Sequence, residues 1–191
     1  MSIDSKIRET ETDAALVMHI KAGDKAALGK LVEKHKKLAF RLALGLVGNK
    51  DDAYDISQEA FLRVYRSADT FNVDQPFLPW FYTIISNLCR TWLRRRSRRD
   101  HRMVDINDAS YLLVDNTSPD YLVEKEETIA KLRQCLLELP FDDREIIMLQ
   151  HFRGMSYDEI AELLGIPRGT VMSRLYYARK KLAQLMRQYY E

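Results

Sequence analysis

The segment SYDEIAELLGIPRGTVMSRLYYARKKL, residues 156–182, constrains the fold most, because its punctuation admits two short helices set across a tight corner. Ser156 can cap the open amides of the first helix while Glu159, three residues on, reaches back to complete a capping box. Ile160, Ala161, Leu163 and Leu164 then supply an apolar stripe. Gly165 stands where a left-handed backbone is needed, Ile166 can plug the corner, and Pro167 beside Arg168 suits the opening turn of a second helix. In that helix Val171, Leu175, Ala178 and Leu182 recur at helical steps and share one face. Thr170, Ser173, Arg174, Tyr177 and Lys180 point partly or wholly outward, flanked by Met172 and Tyr176. A face of this kind can lie in a DNA major groove, with Arg or Ser at base edges and Arg179, Lys180 or Lys181 at phosphates. A helical hairpin with a solvated basic end is the plainer alternative. Six basic residues and no acid between 168 and 187 favour DNA.

The net charge of +2 conceals where charge is concentrated. Residues 90–102 hold seven arginines against Asp100, whereas residues 103–127 hold seven acids against Lys125. Two basic patches with an acidic stretch between them suit a polyanion gripped at two places through counterion release. No run of eighteen apolar residues and no basic-then-apolar leader occurs, so membrane insertion and export are not expected and the cytoplasm is the default location. Cys89 and Cys135 sit within apolar helical patterns and read as buried thiols rather than redox or metal groups. Four scattered histidines form no ligand cluster, and no phosphate loop or nucleophile-base pattern is present. Neither a metal, a cofactor nor a catalytic residue is expected.

Apolar periodicity predicts helices over 14–32, 38–47, 53–66, 80–93, 127–138, 142–152, 157–164 and 168–187, with no strand. The expected fold is all-α, two small helical domains joined by an acidic linker. Residues 1–12 and 188–191 read as tails, 13–102 as the first domain, 103–126 as the linker, and 127–187 as the second domain containing the helix-turn-helix. Upstream of that motif, LRQCLLELPFDDREIIMLQHF predicts a helix, a break at Leu139-Pro140, and a further helix capped by Asp142 with Glu145 as its partner. Leu132, Leu136, Ile146, Ile147 and Leu149 can bury themselves against the helix-turn-helix.

In the first domain Trp80, Phe81, Ile84, Ile85, Leu88, Cys89 and Trp92 form an apolar stripe on a helix that ends in RTWLRRRSRR. Arg90, Arg94, Arg95, Arg98 and Arg99 are its phosphate candidates, a solvated charge run being the alternative. The preceding TFNVDQPFLPW holds aromatic groups on a loop beside that patch, a combination suited to stacking on unpaired bases. Phe71 and Trp80 also fit plain core anchoring, so the loop from Asn72 to Leu78, with Val73, Asp74, Gln75 and Phe77, is the better candidate for base contacts. The helix over DDAYDISQEAFLRVYRS buries Ala53, Ile56, Ala60 and Val64 and offers Asp52, Asp55, Gln58, Glu59, Leu62 and Arg63 outward. That surface fits either solvent or a protein partner.

Taken in order, GDKAALGKLVEKH, AYDISQEAFLRVYR, FNVDQPFLPWFYTIISNLCRTWLRRRSRR and LPFDDREIIMLQHFRGMSYDEIAELLGIPRGTVMSRLYYARKKL resemble a bacterial RNA polymerase sigma factor of the extracytoplasmic-function group. The likeness spans about 13–99 for region 2 and about 128–187 for region 4. It implies that Asp52, Asp55, Gln58, Glu59 and Leu62 meet core RNA polymerase, through its β and β′ subunits. It further implies that Asn72 to Leu78, Trp80 and the arginines handle the −10 element, including single-stranded DNA. Arg168, Thr170, Met172, Ser173, Arg174, Tyr176, Tyr177, Lys180 and Lys181 would then read the duplex −35 element. The acidic linker would thread the active-site and RNA-exit channels, and an anti-sigma factor would cover the same faces. Met172 and Tyr177 stand where members commonly carry Arg, and Pro79 where a non-proline is common. A stand-alone helix-turn-helix regulator is the alternative, distinguished by tight DNA binding without polymerase.

Overall fold

The computed structural model describes residues 12–99, 119–152 and 154–189. Their regular elements are all helical: α1 (Asp13–Lys21), α2 (Lys25–Val47), α3 (Lys50–Arg66), α4 (Phe77–Arg99), α5 (Pro119–Glu138), α6 (Phe141–Ile147), α7 (Tyr157–Leu164) and α8 (Arg168–Arg187). A 3-10 turn at Ala68–Thr70 and a π turn at Met148–Phe152 complete them. Helices α1–α4 form one cluster and α5–α8 a second. Among the described residues no helix is long and apolar enough to cross a membrane.

Local chemistry explains where these boundaries depart from the periodic reading. The expected helix over 14–32 is interrupted because Gly23 turns the chain at φ 89° and Asp24 caps α2, accepting from the Ala26 and Ala27 amides at 2.8 and 3.3 Å. Conversely, no break separates residues 32 and 38. The apolar pattern lapses there because His35, rather than an aliphatic group, occupies the buried position, with Nε2 3.0 Å from Asp13 Oδ1. Helix α4 starts at Phe77 instead of Trp80, since Pro79 falls in the first turn, where its missing N–H leaves no helical bond unmade.

Two expectations in the second cluster also change. Helix α5 begins at Pro119, so 119–126 belongs to a helix, and the rest of the expected linker lies outside the described residues. Helix α6 is entered through an extended Pro140 with no side-chain cap; Asp142 is turned elsewhere.

The two clusters touch. Gly48, the left-handed cap of α2 at φ 80°, lies so close to α5 that a Cβ there would come within 2.5 Å of Leu137 Cδ1. One turn earlier, a Cβ on Gly45 would collide with the Met148 side chain. Gly48 is the stricter of the two, because its left-handed backbone adds to the contact with Leu137, whereas the flexible end of Met148 can shift away from Gly45. The buried side chains of both clusters run into one apolar core, with Phe81, Leu31 and Leu46 from the first and Ile146, Leu149 and Leu175 from the second.

Candidate nucleic-acid interface

The helix-turn-helix is built as its sequence specifies. Ser156 Oγ accepts from the Glu159 amide at 3.3 Å, while the Glu159 carboxylate accepts from the Ser156 amide at 2.7 Å. Gly165 is left-handed at φ 64°, and Val171, Leu175 and Ala178 are buried. The residues expected to face outward largely do so: Met172, Ser173, Tyr176, Tyr177, Lys180, Lys181 and Arg168 are exposed, with Thr170 and Arg174 half-buried. Several cations on this helix already have partners. Arg168 Nε lies 3.1 Å from Asp158, Lys181 Nζ 2.6 Å from Asp143, and Arg179 donates to Gln150 Oε1 at 2.7 Å and to His151 at 3.3 Å. Burial and the neighbouring Arg179 charge hold the His151 imidazole below its ordinary range, which suits that acceptor role. The Ser173 hydroxyl donates to the Thr170 carbonyl at 3.1 Å.

The α4 patch divides more sharply. Arg94 and Arg95 are exposed, and the side chains of Arg98 and Arg99 lie outside the described residues. Arg90, expected at DNA, is instead held by the second cluster: it donates to Asp142 at 2.7 Å and to Glu145 at 2.9 Å, with its guanidinium 4.5 Å from the Phe141 ring centroid. Glu145, only 3 % exposed, also accepts from Ser86 and, at 3.5 Å, from the Tyr82 hydroxyl. Burial pushes the Glu145 carboxyl above its ordinary value, opposed by Ser86 and Arg90. A DNA role for Arg90 would require the clusters to part. Nearby Cys89 is buried and its thiol is pushed up to about 12, chiefly by burial.

The loop before α4 needs a similar division. Asn72, Val73, Asp74 and Gln75 are exposed, and Asn72 Oδ1 accepts from the Asp74 amide at 3.0 Å, closing a small turn. Phe77 is not a loop residue. It is buried, with its ring stacked 5.2 Å from Phe81, because the first turn of α4 directs it inward. Phe71 is buried too, as core anchoring anticipates, while Leu78 and Trp80 remain half-buried, Trp80 leaning on Phe71 at 5.0 Å.

On α3, Asp55, Gln58 and Leu62 are exposed, and Glu59 pairs with Arg63 and Arg66 at 3.3 and 3.5 Å. Asp52 is half-buried and engaged by Arg96 at 3.3 Å; burial raises its carboxyl against the pull of Arg96. Tyr54 and Tyr65 extend the exposed face and were missed from the sequence, although with Gln58 and Leu62 they follow one helical stripe.

Comparison with known proteins assigns the chain to a class. Residues 31–99 match Sigma-70 region 2 and residues 129–182 match Sigma-70, region 4. The RNA polymerase sigma-H factor of Pseudomonas aeruginosa is 35 % identical over 178 residues, covering 90 % of this chain and 92 % of the relative. The extracytoplasmic-function (ECF) RNA polymerase sigma factor SigW of Bacillus subtilis is 32 % identical over 179 residues, covering 90 % and 95 %. The structure of sigma factor RpoE in complex with the anti-sigma factor NepR from Bartonella quintana superimposes with a TM-score of 0.64 at 25 % identity, covering 83 % of this chain and 96 % of that one. The chain belongs to the Sigma-70 family of RNA polymerase sigma factors, in its ECF group. It acts by binding; the chemistry of RNA synthesis is the polymerase's.

Proposed function

We propose that this sigma factor joins core RNA polymerase to a promoter at two places, each served by one helical cluster. The α3 face of Asp55, Gln58, Glu59 and Leu62, widened by Tyr54 and Tyr65, docks on the core enzyme. The exposed loop Asn72 to Gln75, with the half-buried Leu78 and Trp80 beside it, receives unpaired bases of the −10 element. Arg94, Arg95, Arg98 and Arg99 hold the adjoining phosphates. Contacts of this loop with an unstacked base offset the few kcal/mol that unpairing costs. Helix α8 enters the major groove of the −35 element.

The observation that carries this reading is the order on one chain of a region 2 match and a region 4 match, whose last helices present the exposed cations Arg94, Arg95 and Lys180. The test is in vitro transcription with core polymerase on a fragmented genomic template, mapping start sites with and without the protein. New, discrete start sites are expected; unchanged starts and no association with core enzyme would contradict it. By analogy with RpoE, which is seen in complex with the anti-sigma factor NepR, this chain binds an anti-sigma factor in the resting cell, and the docking and −35 faces are the surfaces we assign to it. Affinity recovery of the native complex should yield that inhibitor, and polymerase alone would count against it.

A further inference from the structure

We infer that helix α8 selects −35 positions bearing thymine, through apolar contact of Met172, Tyr176 and Tyr177 with the C5-methyl group, rather than guanine through charged hydrogen bonds. This rests on the reading of α8 as the −35 helix. Each base pair presents a different major-groove edge, and thymine alone offers a methyl group, whereas guanine is read best by a bidentate Arg or Lys. What the helix sets on its outer face therefore decides which base it prefers.

Around Ser173 and Lys180 that face is largely apolar. Met172 is 48 % exposed, Tyr176 63 % and Tyr177 59 %, although the core of the cluster is already closed by Val171, Leu175 and Ala178 on the opposite side. Met172 and Tyr176 are one turn apart and, with Tyr157, Arg179 and Lys180, line a shallow concavity. The Tyr176 and Tyr177 rings meet edge to face at 5.2 Å, so each restricts the other's motion. The hydrogen-bonding groups are less available. The Ser173 proton is committed to Thr170, Arg179 to Gln150 and His151, and Lys181 to Asp143. Among the described residues Lys180 and Arg174 carry no ion pair, and both flank the apolar stripe.

Charge indicates what covers this face. A stripe of methionine and tyrosine could serve a protein partner, but every charge that the helix itself carries, from 168 to 187, is positive. That charge complements a row of phosphates on either side of a groove. The side chains then divide the work, cations at the backbone and apolar groups at the methyls.

The test uses holoenzyme assembled with core polymerase and a duplex library randomised across the upstream element, amplified once with thymidine and once with deoxyuridine triphosphate. Uracil removes the methyl and nothing else. Elements selected from the thymidine library should contain thymine at one or more contacted positions. Changing each such thymine to uracil should weaken binding roughly threefold to fivefold, the transfer value of one methyl-sized group. Met172→Ala should abolish that sensitivity at one position and Met172→Leu should retain it. Lys180→Ala should weaken thymine and uracil duplexes equally. Equal affinity for the two forms, or selected elements without thymine, would overturn the inference while leaving duplex reading by α8 in place. Met172→Ala that alters no duplex affinity would overturn it in favour of a protein occupant. If start sites are redirected but no upstream duplex is enriched, the −35 reading falls and the inference with it.

Discussion

The basic ends of α4 and α8 resemble each other in sequence and differ in how the fold uses them. On α4, Arg90 turns inward to a carboxylate that is 3 % exposed, and Arg96 turns to the half-buried Asp52 with its guanidinium 5.0 Å from the Trp92 ring. On α8 the cations lie nearer the surface, Arg168 being 59 % and Lys181 50 % exposed against 35 % and 26 % for Arg90 and Arg96, although Asp143, the partner of Lys181, is itself only 14 % exposed. A buried carboxylate left without its cation is costly, whereas an exposed pair contributes little. The α4 end therefore combines a structural role with a DNA-facing one in adjacent residues, while α8 is held chiefly by its apolar side. A cation in a basic run is withheld from DNA where a buried carboxylate elsewhere in the chain holds it, as Glu145 holds Arg90.

That difference can be broken at four places, in order of decreasing effect. Arg90→Ala strands Glu145 and should destabilise the protein by roughly 2–3 kcal/mol, below the figure for a fully buried pair because Arg90 remains partly exposed. Urea unfolding measures it, and a change near zero would mean that the clusters part easily in solution. Glu145→Gln acts on pH dependence. Because burial lifts the native Glu145 carboxyl above its ordinary 4.5, its contribution to stability is fully present below that value and declines as pH rises through the native one. Replacing it with glutamine should remove this decline, so the variant compares better with the parent at neutral pH than at pH near 4.5 in denaturant titrations. An unchanged difference across that range would contradict the burial of the charge.

On the other side of the comparison, Ser156→Ala removes one half of the capping box and should cost about 1 kcal/mol, read as a lower thermal midpoint with the α4 contacts intact. Arg168→Ala should be smallest, within about 0.5 kcal/mol in stability, since both it and Asp158 are well exposed.

How much of this was visible in the sequence follows from the range of the interactions. The helix-turn-helix was legible because Ser156, Glu159, Gly165 and the Val171 stripe act over a few residues. Helix α2 was misread because its continuity depends on His35 meeting Asp13, twenty-two residues earlier. The early start of α4 was hidden by Pro79, which breaks a helix interior but not a first turn. Glu145 looked like a cap partner; what buries it, Ser86 and Tyr82, lies 59 and 63 residues away. For the same reason Arg90 could not be told from Arg94 or Arg95. Phe77 carried its own warning, since an aromatic four residues before Phe81 fits a buried helical stripe as well as an exposed loop.

The most direct test of this division is the salt dependence of promoter binding by holoenzyme carrying Arg90→Ala or Arg95→Ala, measured by filter binding. Loss of one phosphate contact should make the log–log slope shallower by about 0.9, and this is expected for Arg95→Ala. Arg90→Ala should leave the slope unchanged while weakening the fold. A slope reduced equally by both changes, with Arg90→Ala as stable as the parent, would contradict the account.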